Sequence, residues 1–377
     1  MLTGLADAAA DMVRTRGRGL KNALAQRSDQ RIVVFESDDW GSQRVPSKAA
    51  RDRLLAQGIL SGKSAYDQET LENAEDVATL CEVLGSVRDA DGLPAVFSCF
   101  VNPANPDFDR IRESDFEGYF WEPTSQTLER RGDRAAVQAA WQSGRAAGLV
   151  DLEYHGREHL QVRLWMDFLR SSSVVRAGFE LGYYSVACEP VPPTIRGFRA
   201  AYFFESPDEI PAMERIVVDG ARLFEEEYGV RPHVFCAPNN VFHPELYRAV
   251  KTAGCNVIVR HARNLQPDGR GGVTQVWGNR RVREAGLSWY GRNAIFEPEQ
   301  GYGIEHALRG IRSAFAWGVP AIVSTHRVNY VGGIDPRVRD RGARELGALL
   351  KAITKTWPDV HFMSSRALAK HLGWCDG

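Results

Sequence analysis

Short runs of apolar and β-branched residues recur along this chain, separated by longer stretches in which apolar residues return every three or four positions. The run Arg31 to Glu36 reads as a strand buried on both faces. Similar runs follow at Ala95 to Val101, Val150 to Tyr154, Val234 to Cys236, Asn256 to Arg260, Leu287 to Tyr290, Ala321 to Thr325 and Val360 to Met363. Helical spacing marks Ser47 to Gln57, Asp133 to Ala147, Glu209 to Tyr228, Pro244 to Ala253, Gly303 to Trp317 and Arg341 to Thr356. Strand alternating with helix predicts an α/β fold with a parallel sheet, and seven or eight such units suit a closed barrel better than an open doubly wound sheet. No Gly-x-Gly-x-x-Gly follows the first strand, which speaks against a dinucleotide site. Asn102 to Thr124 and Cys188 to Arg199 read as long loops of the kind that build substrate pockets. One barrel domain is expected over residues 31–377. Ahead of it, residues 1–30 form a helical extension, amphipathic and basic from Leu5 to Gln26, that should pack on the main body.

Composition narrows the functional classes. At 377 residues with 44% hydrophobic side chains the chain can bury a full core, and its net charge of -1 gives no broad electrostatic reason to bind nucleic acid. No apolar run reaches the length of a membrane span, and the opening residues lack a continuous apolar segment, so stable membrane insertion is not expected and a cytoplasmic location is. The six cysteines fall without a Cys-x-x-Cys pair, which fits buried, reduced thiols better than disulfides or a thiolate zinc site; Cys236 has no paired base around it to make it a nucleophile.

The chemistry-bearing residues sit at the ends of the predicted strands. Asp38 and Asp39 close the first, His155 and His159 follow the third, and His326 follows Ala321 to Thr325. Barrel enzymes keep their catalytic groups at the carboxyl ends of strands. Two imidazoles four residues apart on one helical turn, joined by a carboxylate, make a three-ligand face on a divalent ion with positions left open for water and a substrate oxygen. Adjacent aspartates point in different directions, so one can bind the ion while the other stays free as a base. His326 is a candidate proton donor, because an imidazole beside a carboxylate can be held protonated. Glu36 and Glu158 are reserve bases, and the remaining histidines lack partners at useful spacing.

With these motifs in view, the chain resembles the polysaccharide deacetylase family of the NodB-homology type, carbohydrate esterases whose fold implies an α/β architecture with a distorted (β/α)7-type barrel. Phe35 to Asp39 is similar to the family's first motif, which implies Asp38 as catalytic base and Asp39 as metal ligand. His155 and His159 match its His-x-x-x-His motif as the remaining ligands, and Ser324-Thr325-His326 resembles its last motif, with His326 as the acid. The departures are specific. Cys236-Ala237-Pro238-Asn239 keeps the proline of the third motif but lacks the arginine that would hold the base, a role left to Arg199 or Arg157; Gly156 replaces the usual Ser or Thr; and only Ser288-Trp289-Tyr290 stands near a fourth motif.

The resemblance implies a divalent metal, Zn²⁺ first with Mn²⁺, Co²⁺, Ni²⁺ or Fe²⁺ as alternatives, and a carbohydrate or glycoconjugate substrate from which an N- or O-acetyl group is removed. A backbone N–H near Asn239 or Asn240 would steady the oxyanion. Trp40 leads the aromatic candidates for stacking on a sugar ring, ahead of Trp121, Trp165, Trp289 and Tyr154, and Arg157, Arg199, Pro238 and Asn239 complete the candidate substrate contacts. Two other readings stay open: a metal-dependent amidase or glycan hydrolase on the same barrel, and a glycan-binding relic without catalysis.

Overall fold

The computed structural model describes residues 22–23, 25–188, 193–260, 263–277 and 283–374. The expected N-terminal helix from Leu5 therefore lies almost wholly outside the described residues. Its described end packs inward, with the buried Asn22 amide donating to Ser313 Oγ at 3.1 Å.

The strands in chain order are β1 (Arg31–Trp40), β2 (Phe97–Val101), β3 (Ala104–Pro106), β4 (Trp121–Pro123), β5 (Val150–Tyr154), β6 (Val234–Cys236) and β7 (Val257–Val259). They continue with β8 (Arg263–Pro267), β9 (Val273–Trp277), β10 (Arg283–Glu284), β11 (Leu287–Tyr290), β12 (Ala294–Ile295), β13 (Ala321–His326) and β14 (Val360–Phe362). The main sheet runs β10-β11-β7-β6-β5-β2-β1-β13-β12, with β14 beside the start of β1. Every pairing in it is parallel except β10 with β11. This is the α/β architecture that the alternating pattern requires, with helices supplying the crossovers. Among the described residues no ladder joins β12 to β10 or β11, so the closed barrel expected from the alternation is corrected to a sheet whose two ends are not paired there.

β1 is the axis of the sheet. It pairs with β13 from Val33 to Asp38, with β14 from Arg31 to Val33 and with β2 beyond Phe35, and every residue from Ile32 to Trp40 is buried. Apolar residues fill both faces at its start, where Phe35 stacks on Phe97 with ring centroids 5.3 Å apart. Its last residues are polar, yet they remain buried because loops cover the carboxyl end of the sheet.

Several elements go beyond the sequence pattern. The helix expected from Arg341 begins at Pro336, where Asp335 caps it by accepting from the Arg337 N–H and proline sits in the first turn, the position that has no intrahelical donor to lose. The Asn102 to Thr124 stretch is not a bare loop: it holds the antiparallel pair β3 and β4 and the helix Phe108–Glu113. The hairpin of β8 and β9 and the two-residue strand β12 were also invisible to periodicity, being too short or too polar to show it. None of the helices among the described residues is long and apolar enough to cross a membrane.

One backbone position fixes how β1 hands over to the site. Gly41 has φ of +77°, and a Cβ there would lie 2.3 Å from the Asn102 carbonyl oxygen. Both the left-handed conformation and the backbone contact demand glycine. Gly41→Ala should therefore lower the unfolding free energy by roughly 2–4 kcal/mol; urea denaturation of the variant beside the parent protein measures it, and an unchanged midpoint would refute the role.

Candidate active site

The site lies at the carboxyl ends of the parallel strands. Asp38 is in register with His326 across the β1–β13 ladder, so strand pairing alone brings these two together. A register irregularity between Ser37 and Trp40 then breaks the alternation, and Asp39 takes φ of +77°. That left-handed turn swings the Asp39 carboxylate away from Asp38 toward the loop after β5. The loop begins with His155, whose N–H bonds the Val101 carbonyl at 2.9 Å, and the Asn102 side-chain amide holds the carbonyls of His155 and Gly156 at 2.8 and 3.0 Å.

His155 and His159 do not share a helical turn, as their spacing suggests. The segment from His155 to Gln161 is irregular, and the following helix, Val162–Ser171, begins only afterwards. The imidazoles still meet, with ring centroids 5.3 Å apart. The left-handed Gly156 makes the turn: it has φ of +88°, and a Cβ there would come within 2.9 Å of the Tyr202 hydroxyl, so neither Ser nor Thr fits.

One ligating atom each from Asp39, His155 and His159 lie within 4.8 Å of one another. Asp39 Oδ1 stands 3.1 Å from His159 Nε2 and 3.5 Å from His155 Nε2. His155 Nδ1 donates to the Cys236 carbonyl at 2.8 Å, which leaves the Nε2 lone pair facing Asp39. Burial pushes the His159 pKa down to about 4 against the pull of Asp39, so this imidazole is neutral near pH 7 and its Nδ1 has no partner. Asp39 stays ionised well below the usual carboxylate range despite its burial, held there first by Arg44. Asp39 Oδ1 and the two lone-pair nitrogens converge among buried side chains, with Arg44 on the other Asp39 oxygen, and their spacing is what bonds of about 2 Å to one ion would produce. The three residues fit a divalent metal. A second grouping, Asp38 with His155 and Cys236, fits less well, because burial drives the Cys236 thiol far above its ordinary pKa and the His155 Nδ1 is already spent. The same shift leaves Cys236 without thiolate character.

The arginine missing from the third motif comes from elsewhere. Arg292 grips both oxygens of Asp38 at 2.6 Å and donates Nε to Glu36 at 2.6 Å. Burial alone would raise the Asp38 pKa, but the guanidinium brings it down to about 2. Across from it, His326 Nε2 lies 3.8 Å from Asp38 Oδ2, while its Nδ1 bonds Glu297 at 2.5 Å. Burial disfavours the imidazolium; Glu297, followed by Asp38, more than reverses this and lifts the His326 pKa to about 10. Asn329 fixes Glu297 from behind with a 2.6 Å bond.

Other expected roles are corrected by what the side chains touch. Arg157 does not hold Asp38: it bonds Glu158 at 2.5 and 3.0 Å, which also occupies Glu158, expected as a reserve base. Glu36 is spent on Arg292, Ser365 and the Tyr290 hydroxyl. Trp40 is wholly buried, bonds Ser37 through its indole N–H and packs edge-on against Trp141, so no ring face is free for a sugar. Trp165 and Tyr154 are likewise core residues. Pro238 is buried, whereas Asn239 is exposed, and both Asn239 and Asn240 have left-handed backbones. The Asn240 N–H already bonds the Ala237 carbonyl at 2.9 Å and is not available to an oxyanion. Arg199 does not hold the base either, but it stays beside the site, its guanidinium 5.4 Å from the Tyr66 ring.

Arg44, Tyr66, Arg292 and Glu297 were missed in the sequence. Arg292 and Glu297 follow the ends of β11 and β12, so strand-end position was the signal available, but β12 is only two residues long. Arg44, paired with Asp39 at 2.9 Å and lying 2.9 Å from Glu69, arises from the irregular chain after β1, and Tyr66 from the four-residue 3-10 helix Ala65–Gln68, too short to carry a periodic signal.

No family model matches the chain, and no curated protein matches it. Among solved structures it is similar to 4-alpha-glucanotransferase from Thermococcus litoralis, at 11% identity over 91% of this chain and 40% of that one, with a TM-score of 0.43. It is also similar to a protein assigned as a polysaccharide deacetylase from Mycobacterium smegmatis, at 13% identity over 93% of this chain and 95% of that one, with a TM-score of 0.42. A third, assigned as a glycoside hydrolase/deacetylase from Parabacteroides distasonis, shows 9% identity over 92% and 73% of the two chains and a TM-score of 0.47. This chain spans 40% of the length of the glucanotransferase. Likenesses this distant transfer no chemistry, and the site stands on its own geometry.

The Arg292 fork has a measurable consequence. Arg292→Met strands Glu36 and Asp38 as buried unpaired charges and should cost about 3–5 kcal/mol at pH 7. Because Asp38 titrates below its ordinary value of 3.8, its contribution is present above pH 3.8 and fades toward pH 2. The deficit of the variant should therefore shrink in acid; denaturation curves from pH 7 down to pH 2 test this, and a deficit independent of pH would contradict the assignment.

Proposed function

We propose that this protein is a metal-dependent hydrolase that removes an acetyl group from a carbohydrate or glycoconjugate. The observation that carries the reading is the juxtaposition of the Asp39, His155 and His159 donor face with an oppositely tuned pair, Asp38 ionised and His326 protonated, 3.8 Å apart. The carbohydrate part is supported by the motifs Phe35 to Asp39, His155 to His159 and Ser324 to His326, which resemble those of the NodB-type deacetylases.

Asp39, His155 and His159 would hold the metal, Zn²⁺ or another ion that accepts nitrogen and oxygen ligands. Bound there, it would supply Lewis-acid polarisation of the acyl oxygen and a lowered pKa for a water molecule. Asp38 keeps one lone pair on each oxygen beyond its bonds to Arg292, so it can take the proton that water loses as its oxygen bonds the acyl carbon. His326 then gives its proton to the leaving nitrogen or oxygen as the acyl bond breaks, and acetate departs. Arg292 and Glu297 hold the two groups in these protonation states before substrate arrives, so neither has to be reset by solvent.

Two experiments separate the roles. Asp39→Ala and His155→Ala should each lose bound metal and acetate release together, whereas Asp38→Asn should keep the metal and lose turnover by about 10²-fold or more. Elemental analysis paired with acetate release from acetylated sugars reads both, and metal loss in Asp38→Asn alone would reverse the two aspartates. Glu297→Gln removes the main cause that holds His326 near 10, so the alkaline limb of kcat/KM should move to lower pH, toward the ordinary imidazole value of 6.5. An alkaline limb that stays in place would exclude His326 as the acid.

A further inference from the structure

Arg44, Arg157, Arg292, Arg327 and Arg339 are all buried, and each reaches a carboxylate. Arg199 is the contrast. It keeps only partial exposure, its Nε is buried with no hydrogen-bond partner, and among the described residues its guanidinium meets no carboxylate at ion-pair distance. What it meets is the Tyr66 ring, 5.4 Å away, which also carries Arg44 at 4.8 Å and lies edge-on to His326 at 6.1 Å. Tyr66 and His326 are, like Arg199, partly exposed, while the donor face behind them is buried.

The position of Arg199 is built. Gly197 and Phe198 both have left-handed backbones, φ +76° and +58°, and the buried Phe198 offers its carbonyl to the Gln161 N–H at 2.7 Å. Gln161 stands two residues beyond His159, so the arm that carries Arg199 is tied to the loop that carries the histidines. Burial and the like charge of Arg44 both disfavour the Arg199 cation. A guanidinium held this way, with donors unspent, is costly unless a negative group arrives to meet it.

We propose that the substrate carries an oxyanion, a carboxylate or a phosphate, and that Arg199 binds it at the mouth of the site beside Tyr66. The inference rests on the hydrolase reading for the identity of the site and narrows its substrate class to acidic acetylated sugars. Guanidinium suits both oxyanions, since its paired N–H groups match two oxygens of either.

The test compares N-acetylmuramic acid, N-acetylglucosamine 6-phosphate and neutral N-acetylglucosamine, by acetate release from the metal-loaded protein and by calorimetric binding. At least one acidic sugar should surpass the neutral one about tenfold in kcat/KM, and Arg199→Met should reduce that ratio by roughly 10- to 100-fold, with Arg199→Lys intermediate. Whichever acidic arm responds names the anion. A ratio near one for both acidic sugars, or a ratio that Arg199→Met leaves unchanged, would overturn the proposal. Should no sugar release acetate, calorimetry separates the two claims: tighter binding of an acidic sugar that Arg199→Met abolishes keeps the anion site and sinks the hydrolase, and equal binding of all three sinks the anion site.

Discussion

Three carboxylates within four residues of one buried strand end, Glu36, Asp38 and Asp39, are the constraint to which the rest of the site answers. Like charges about 4 Å apart repel by roughly 4 kcal/mol even at an effective dielectric of 20, and removal from water adds several kcal/mol per ion. A sheet cannot hold such a strand in its middle without cations to match. Arg292 answers Glu36 and Asp38 together, which it can do because residues two apart on a strand share a face. Asp39 lies on the other side of the irregularity, where Arg44 takes one oxygen and the histidines face the other.

This division explains why the backbone departs from regular strand geometry where it does. An unbroken β1 would send Asp39 to the face opposite Asp38, into the packing around Trp40 and Val101. The left-handed Asp39, followed by the left-handed Gly41, instead turns the chain over the end of β2, and Asn102 ties the turn to the histidine loop. Backbone strain of this kind costs of order 1–3 kcal/mol and survives only where the surroundings over-determine it. Here the surroundings are ion pairs and buried hydrogen bonds on every side, which also makes the geometry stiff.

Much of this was legible in the sequence, and the boundary is instructive. Asp38, Asp39, His155 and His326 announce themselves by standing at the ends of strand-like runs, and His159 by its spacing from His155, and a parallel sheet collects its strand ends on one rim. Arg292 and Glu297 sit on the same rim, but behind strands of four and two residues whose patterns barely rise above chance. The helical turn inferred for the histidine pair failed because spacing counts residues and not dihedrals, and Gly156 bends the segment. Trp40 misled for a related reason: nearness in sequence to Asp38 says nothing about which face an indole presents, and the irregularity after Ser37 puts the ring in the core with Val33 and Phe35.

The opposite perturbations of Asp38 and His326 belong to one electrostatic arrangement. Each would shift the other way if burial acted alone, and each is turned by a partner on its far side, Arg292 for the aspartate and Glu297 for the histidine. The four groups alternate in charge, guanidinium, carboxylate, imidazolium, carboxylate, and the proposed reaction would place the reacting atoms between the middle two. Moving a proton from His326 to Asp38 would leave Arg292 without its anion and Glu297 without its cation at once. The pair therefore resists neutralising itself despite a separation of 3.8 Å, which under the proposed mechanism would leave its proton exchange to a substrate entering between them. A protein that only bound a ligand in this pocket would gain nothing from holding such an arrangement against the cost of desolvation, which favours chemistry over a relic of it.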